Sequence, residues 1–397
     1  LPVLPRLHEP GGNLVHVLPL PRRRVLDDAV VEAHAVKMRS QTARHTRVPN
    51  ALVEWAGNGT EAPVDNEAQT TQIQDDNANI GAAEAHPKPM LTVDQQIAHM
   101  KAKGITFDLV SEAEAAAHLR AKCQFFRVYA YRRNFDRHVG GDRDGQYVGL
   151  DFGHLRVLSN LDRKLRDALL PMALDLEHFA KVRLLAAAED AGEDGYAVMR
   201  GYMASVTDRQ RSHLERELDR REDDPYAGDV VRKYRHDMPL WAFCEVVSFG
   251  AFLGVLRFCA DRWGDAELSD LHYHLKWVKS IRNASAHGSC AVNDLSERPS
   301  RRWRAPDVVT RALASCGVPK RLRAKRLRSP RMAQMCTLLY LYDRTVPEGT
   351  VRTDRERALA DLFGYLHGEG ACLPSENPAV SSLTFAERLT RGLGLID

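Results

Sequence analysis

The sequence predicts an almost entirely α-helical protein, on three observations. Apolar residues recur at three- and four-residue steps, as in Leu158, Leu161, Leu165, Leu169, Met172, Leu176, Phe179 and Leu184. Ser/Thr-x-x-Glu/Gln boxes open several such stretches, the pattern in which side chain and backbone cap a helix start reciprocally. Hairpin signals are confined to one short candidate near 139–149.

In chain order, residues 1–86 hold one of the 28 aromatic residues, Trp55, and sustain no period. Such a stretch reads as a disordered tail, or as one lying upstream of the true start, with Met38 and Met90 as internal candidates. Residues 87–150 form a small N-terminal helical subdomain. A capping box from Thr92 to Gln95 opens a helix closed at Gly104, and Ser111 to Glu114 opens a second, through Cys123. The aromatic-rich stretch 125–137 ends at a Gly140-Gly141 turn. Residues 151–345 carry the main core. Pro171 interrupts its leucine stripe and predicts a kink or a restart. Thr207 to Gln210 caps a charged helix reaching about Asp224, whose mixed signs predict a solvated face. Pro239–Trp263 reads as one apolar helix and Leu268–Ala286 as another. Segments 306–316, 330–345 and 353–368 are helical, and 346–397 is a C-terminal helical extension.

Charge is uneven along the chain. The 397 residues carry +3, yet residues 298–331 hold twelve Lys/Arg against one Asp. The rest, with 44 cations and 52 carboxylates, stands at −8. A basic segment on an acidic protein predicts a polyanionic partner. Arg301, Arg302 and Arg304 flank Trp303, a candidate base-stacking ring, and Lys320, Arg321, Arg323, Lys325, Arg326 and Arg328 follow. Seven scattered cysteines without CxxC spacing exclude a recognisable zinc ribbon or disulfide framework and fit a reducing cytoplasm. No apolar run reaches the ~18–20 residues of a membrane helix. Phosphate-loop, dinucleotide, zinc-protease and serine-hydrolase motifs are absent, and the Asn58 sequon reads as a chance match.

The chemistry candidate is Arg282-Asn283-Ala284-Ser285-Ala286-His287, at the end of a predicted helix. Five helical steps leave Arg and His offset by roughly 140°, so convergence on one phosphate needs the helix to loosen at Gly288. The pair suits RNA transesterification: histidine moves protons near neutrality, and a permanently charged guanidinium stabilises the phosphorane oxygens. Asn283 would position the phosphate or the imidazole. No metal or cofactor is required. Spacing alone carries little, since about two Arg-x4-His pairs are expected by chance. A second, Arg133 to His138, runs into a glycine loop and reads as surface.

Residues 88–345 resemble the Abi family of AbiD/AbiF-like abortive-infection proteins. The matching runs include KPMLTVDQQIAHMKAKGITF (88–107), FFRVYAYRRNF (125–135), MPLWAFCEVVSFGAFLGVL (238–256) and SIRNASAHGSC (280–290). That family is placed in the HEPN superfamily of helical RNA-processing domains, whose motif is Arg-x4–6-His with a polar residue after the Arg. The resemblance implies a HEPN-type helical bundle, a metal-independent endoribonuclease of phage defence or of a toxin–antitoxin pair, and a site completed across a homodimer. It maps the motif onto Arg282, Asn283 and His287.

Other features have plainer readings. Glu177 and Lys181, four apart, make an ordinary ion pair, with support of the site or RNA contact as the functional option. His178 is packed or half-exposed, Trp241 and Phe249 fill the core, and His272 and His274 point apart on a helix, against a metal. The expectation is a cytoplasmic RNA-binding nuclease that does not enter the membrane, with a target RNA or small non-coding RNA as partner. Its rivals are a non-catalytic small-RNA-binding module and a helical component that binds an antitoxin.

Overall fold

The computed structural model describes residues 90–295 and 304–397. The chain divides into two units, 1–88 and 89–397, and every described residue belongs to the second. The expected tail at 1–86 lies outside the described residues, as do Arg301, Arg302 and Trp303.

Among the described residues there are fifteen α-helices and no strand, in keeping with the all-α expectation. The first two are α1 (Val93–Ala102) and α2 (Glu112–Ala121), each opened by its expected capping box. Next come α3 (Phe125–Ala130) and a 3₁₀ turn at Tyr131–Asn134. The hairpin candidate is only a loop closed by a single antiparallel bridge, Arg137 to Tyr147.

Helix α4 (Phe152–Asp190) runs unbroken for 39 residues, so Pro171 causes no restart. A mid-helix proline forfeits one backbone bond and costs about 3 kcal/mol. Leu158, Leu161, Leu165 and Leu169 before it, and Met172, Leu176 and Leu184 after it, are all at most 1% exposed. Their shared burial, each such side chain worth roughly 1.5–3 kcal/mol, outweighs that loss.

Two short helices follow, α5 (Gly195–Ser205) and the charged α6 (Asp208–Glu222), then α7 (Gly228–Tyr234). The predicted apolar helix at 239–263 is two helices, α8 (Leu240–Val246) and α9 (Phe249–Trp263). Val247 is extended and Ser248 caps α9, while buried Glu217 of α6 accepts both the Ser248 amide and its hydroxyl. The face of α6 expected to be solvated thus sends one carboxylate inward to start the next helix. Trp241 also departs from expectation: 46% exposed, it lies edge-on to Tyr196 at 5.4 Å rather than in the core. Phe249 is buried as expected.

Gly264, at φ +63°, and Asp265 reverse the chain between α9 and α10 (Ala266–Ala286). Helix α10 buries Leu271, Leu275, Val278 and Ile281 and packs on α4, on α9 and on α13 (Pro330–Thr345). Around these lie α11 (Asp307–Ser315), α12 (Lys320–Arg326), α14 (Thr350–His367) and α15 (Pro378–Gly392). No helix among the described residues is long and apolar enough to cross a membrane.

Burial holds the pKa of His118, His154, His272 and His274 below the ordinary imidazole value. The unfolded chain therefore binds protons that the folded one refuses as pH falls through about 6.5. Their contribution is complete above that value and lost below it. The melting temperature is expected to drop between pH 7.5 and pH 5.5; a flat profile would refute this.

Candidate active site at the end of the central helix

Helix α10 keeps its geometry through Ala286, and His287 is its C-cap at φ −82°, ψ 2°. Gly288, at φ +67°, then turns the chain: its amide bonds the Ser285 carbonyl at 3.1 Å and the Ser289 amide bonds Ala284 at 2.9 Å. This Schellman closure suits a glycine in the left-handed region. The loosening expected to bring Arg282 and His287 together therefore comes one residue after His287, and the angular offset between the two backbone positions persists.

Arg282 donates from Nη1 to Asn283 Oδ1 at 3.3 Å, while its buried Nε has no protein partner. His287 and Ala286 are exposed, and the His287 imidazole has no hydrogen bond or ion pair among the described residues. The structure thus joins Arg282 to Asn283 and leaves the imidazole open to solvent. Buried Ser285, whose hydroxyl is likewise unpartnered, lies between them.

The loop after the motif is held far more firmly than its sequence suggested. Asp162 of α4, wholly buried, accepts from Arg127 at 3.0 Å, Arg166 at 3.0 Å, the Tyr131 hydroxyl at 3.0 Å and the Ala291 and Val292 amides. Burial, with the Asp162 charge adding to it, pushes the Tyr131 phenol up, so it remains a donor. Arg127 also donates to the Gly288 carbonyl. Arg331, at the start of α13, donates to the carbonyls of Cys290 and Asn293. Arg133 pairs with Asp294 at 2.9 Å, and buried Asn134 donates to Asn293. The second Arg-x4-His pair thus supplies loop supports from its first two residues, where a surface role was expected. Asp294 itself sits at φ +57°, a conformation that Asp tolerates better than most residues.

The basic segment divides into an outer and an inner face. Lys320, Arg321, Lys325 and Arg328 are exposed; the first three fall within about 140° of arc on α12. Arg323 turns inward to the Val318 carbonyl and Arg326 to Ser382 Oγ at 3.0 Å, so neither presents its full guanidinium outward. Arg304 is exposed and pairs with Asp307 at 3.0 Å. The segment's end does meet the motif's loop, for Ser329 donates to the Asp294 carbonyl at 3.1 Å.

Glu177 and Lys181 pair at 3.1 Å and are mostly buried, the ammonium 5.9 Å from the Phe252 ring centre. They sit eleven and fifteen residues along α4 from Arg166, roughly 16 and 22 Å away along the helix axis. His272 bonds the Leu253 carbonyl at 3.0 Å. No cluster of ligating side chains suited to a metal occurs among the described residues.

Asp162, Arg127, Arg166 and Arg331 were missed as site residues. One signal was available: Asp162 lies four residues after Leu158 and three before Leu165, a lone carboxylate in the register of a buried stripe.

No curated protein and no solved structure matches the chain. Residues 118–293, from α2 through the clamped loop that follows His287, match the family model described as Abi-like protein, which supports the Abi family for this segment.

Proposed function

We propose that this protein is an RNA-binding, metal-independent endoribonuclease of the HEPN type that acts in abortive infection against phage, as a homodimer. The observation that carries the reading is an exposed histidine one residue before a clamped turn, on the helix that also bears Arg282 and Asn283. The Abi-like match supplies the defence context.

In this reading His287 takes the ribose 2′-hydroxyl proton. The freed oxygen attacks the adjacent phosphorus, the bond to the 5′-oxygen breaks, and that oxygen gains a proton from an imidazolium. The products are a 2′,3′-cyclic phosphate and a 5′-hydroxyl. Arg282 carries the charge gathering on the phosphorane oxygens, where a preorganised cation acts in the transition state. With one such histidine per chain, a second copy would supply the second proton-transfer group. Exposed Ala286 and half-buried Ala284 leave room for its close approach.

The test is cleavage of single-stranded RNA by purified protein in EDTA, with end-group analysis. Cyclic phosphate ends at an undiminished rate support the mechanism. Strict dependence on a divalent ion, or 3′-hydroxyl ends, defeats it. RNA retention without cleavage would favour the non-catalytic module, to which the exposed face of α12 is equally suited.

A further inference from the structure

Arg166 is fixed in an unusual way for a half-buried arginine. Its Nε donates to Asp162 at 3.0 Å, which sets the plane of the guanidinium, and its side chain is 17% exposed. Its two terminal nitrogens have no hydrogen-bond partner among the described residues. They lie beside the motif: a Cβ placed on Gly288 would be 3.9 Å from Arg166 Nη1 and 3.5 Å from Arg127 Nη1. Gly288 is the residue after His287, about 3.8 Å away between α-carbons.

Among the described residues, the guanidinium groups of Arg127 and Arg166 share one buried carboxylate, Asp162. Two cations on one anion in a half-buried place cost Coulomb energy that a bound anion would recover. A guanidinium held at Nε and open at both terminal nitrogens matches the forked geometry by which arginine grips a phosphate.

We propose that Arg166 is a phosphate-binding residue of this site, gripping the RNA strand beside the His287–Gly288 turn, with Asp162 as the positioning residue that aims it. This rests on the RNA-cleaving reading above and adds a second functional arginine, from α4 rather than α10. Arg127 is tied to Gly288 and Asp162 at once, whereas the terminal nitrogens of Arg166 stay open among the described residues.

The experiment measures binding of a fluorescent single-stranded RNA to protein in the His287→Ala background, where substrate survives, across a salt series. Arg166→Gln is expected to weaken binding about tenfold and to lower the slope of log K against log salt by about 0.7, one phosphate contact. Arg166→Lys, which keeps charge but loses the fork, should fall between. Arg163→Gln, one turn away and paired with Asp167 on the surface, should change nothing. A folded Arg166→Gln protein with unchanged affinity and slope overturns the proposal.

Should the substitutions unfold the protein, photocrosslinking of wild type with 4-thiouridine RNA decides. Crosslinks mapping to 162–170 or 286–291 support the grip; crosslinks confined to 320–328 overturn it. The two readings fail separately. Wild type that never cleaves sinks the nuclease while the binding comparison stands. Cleavage with an Arg166→Gln protein of unaltered RNA affinity sinks only the grip.

Discussion

Asparagine in place of Asp162 is expected to destabilise the protein by about 3 kcal/mol, the low end of the ~3–5 kcal/mol for breaking a buried ion pair on one side. The carboxylate is wholly buried and is the acceptor for two guanidinium groups, a phenol and two backbone amides. The amide oxygen of asparagine can still receive the Ala291 and Val292 amides. Its NH₂ group, however, would face Arg127 and Arg166, both donors, so each loses its bond at that oxygen in a place short of water, and only the Tyr131 hydroxyl could turn to accept. Arg127 and Arg166 keep 25% and 17% side-chain exposure, so part of their charge can rehydrate, and the low end of the range applies. Urea unfolding measures the loss, and hydrogen exchange locates it. The Ala291 and Val292 amides should exchange faster than those in the middle of α10. A variant within about 0.5 kcal/mol of wild type, the range of ordinary surface changes, would mean that Asp162 does not hold this loop.

The sequence made some of this legible, and the reasons differ by residue. Capping boxes at Thr92, Ser111 and Thr207 appear as read, because they are local and need only their own side chains. The leucine stripe of α4 was visible by period, but its continuity past Pro171 was not, since a distant core decides whether one lost bond matters. The break at Val247-Ser248 depends on Glu217, thirty-one residues earlier, and no local pattern announces it. The candidate residues Arg282, Asn283 and His287 lie within one helix turn and a half, so a local motif was enough to nominate them. The supports of the loop beyond them come from α3, α4 and α13, up to 161 residues from the groups they hold, and only the fold brings them together. Composition flagged 298–331 correctly as basic, but it could not tell outward Arg321 from inward Arg323, two residues apart on α12.

If the protein cleaves RNA as proposed, alanine in place of His287 is expected to lower that cleavage by roughly 10²–10⁴-fold, the usual worth of a positioned general acid or base. Because the imidazole is exposed and has no hydrogen bond or ion pair among the described residues, its removal leaves no buried polar partner behind, and the fold should be untouched. That separation gives the variant its power: a loss of activity with an unchanged melting temperature and nearly unchanged RNA affinity isolates chemistry from binding. Arg282 is a different case. Its Nε is buried and its Nη1 bonds Asn283, so Arg282→Gln should cost both rate and some stability. If the two act on one phosphate, the double variant should lose little more than the worse single one, because residues that work as a unit are not additive. Multiplied losses would place the imidazole and the guanidinium in separate tasks, and undiminished cleavage by His287→Ala would remove the histidine from the reaction altogether.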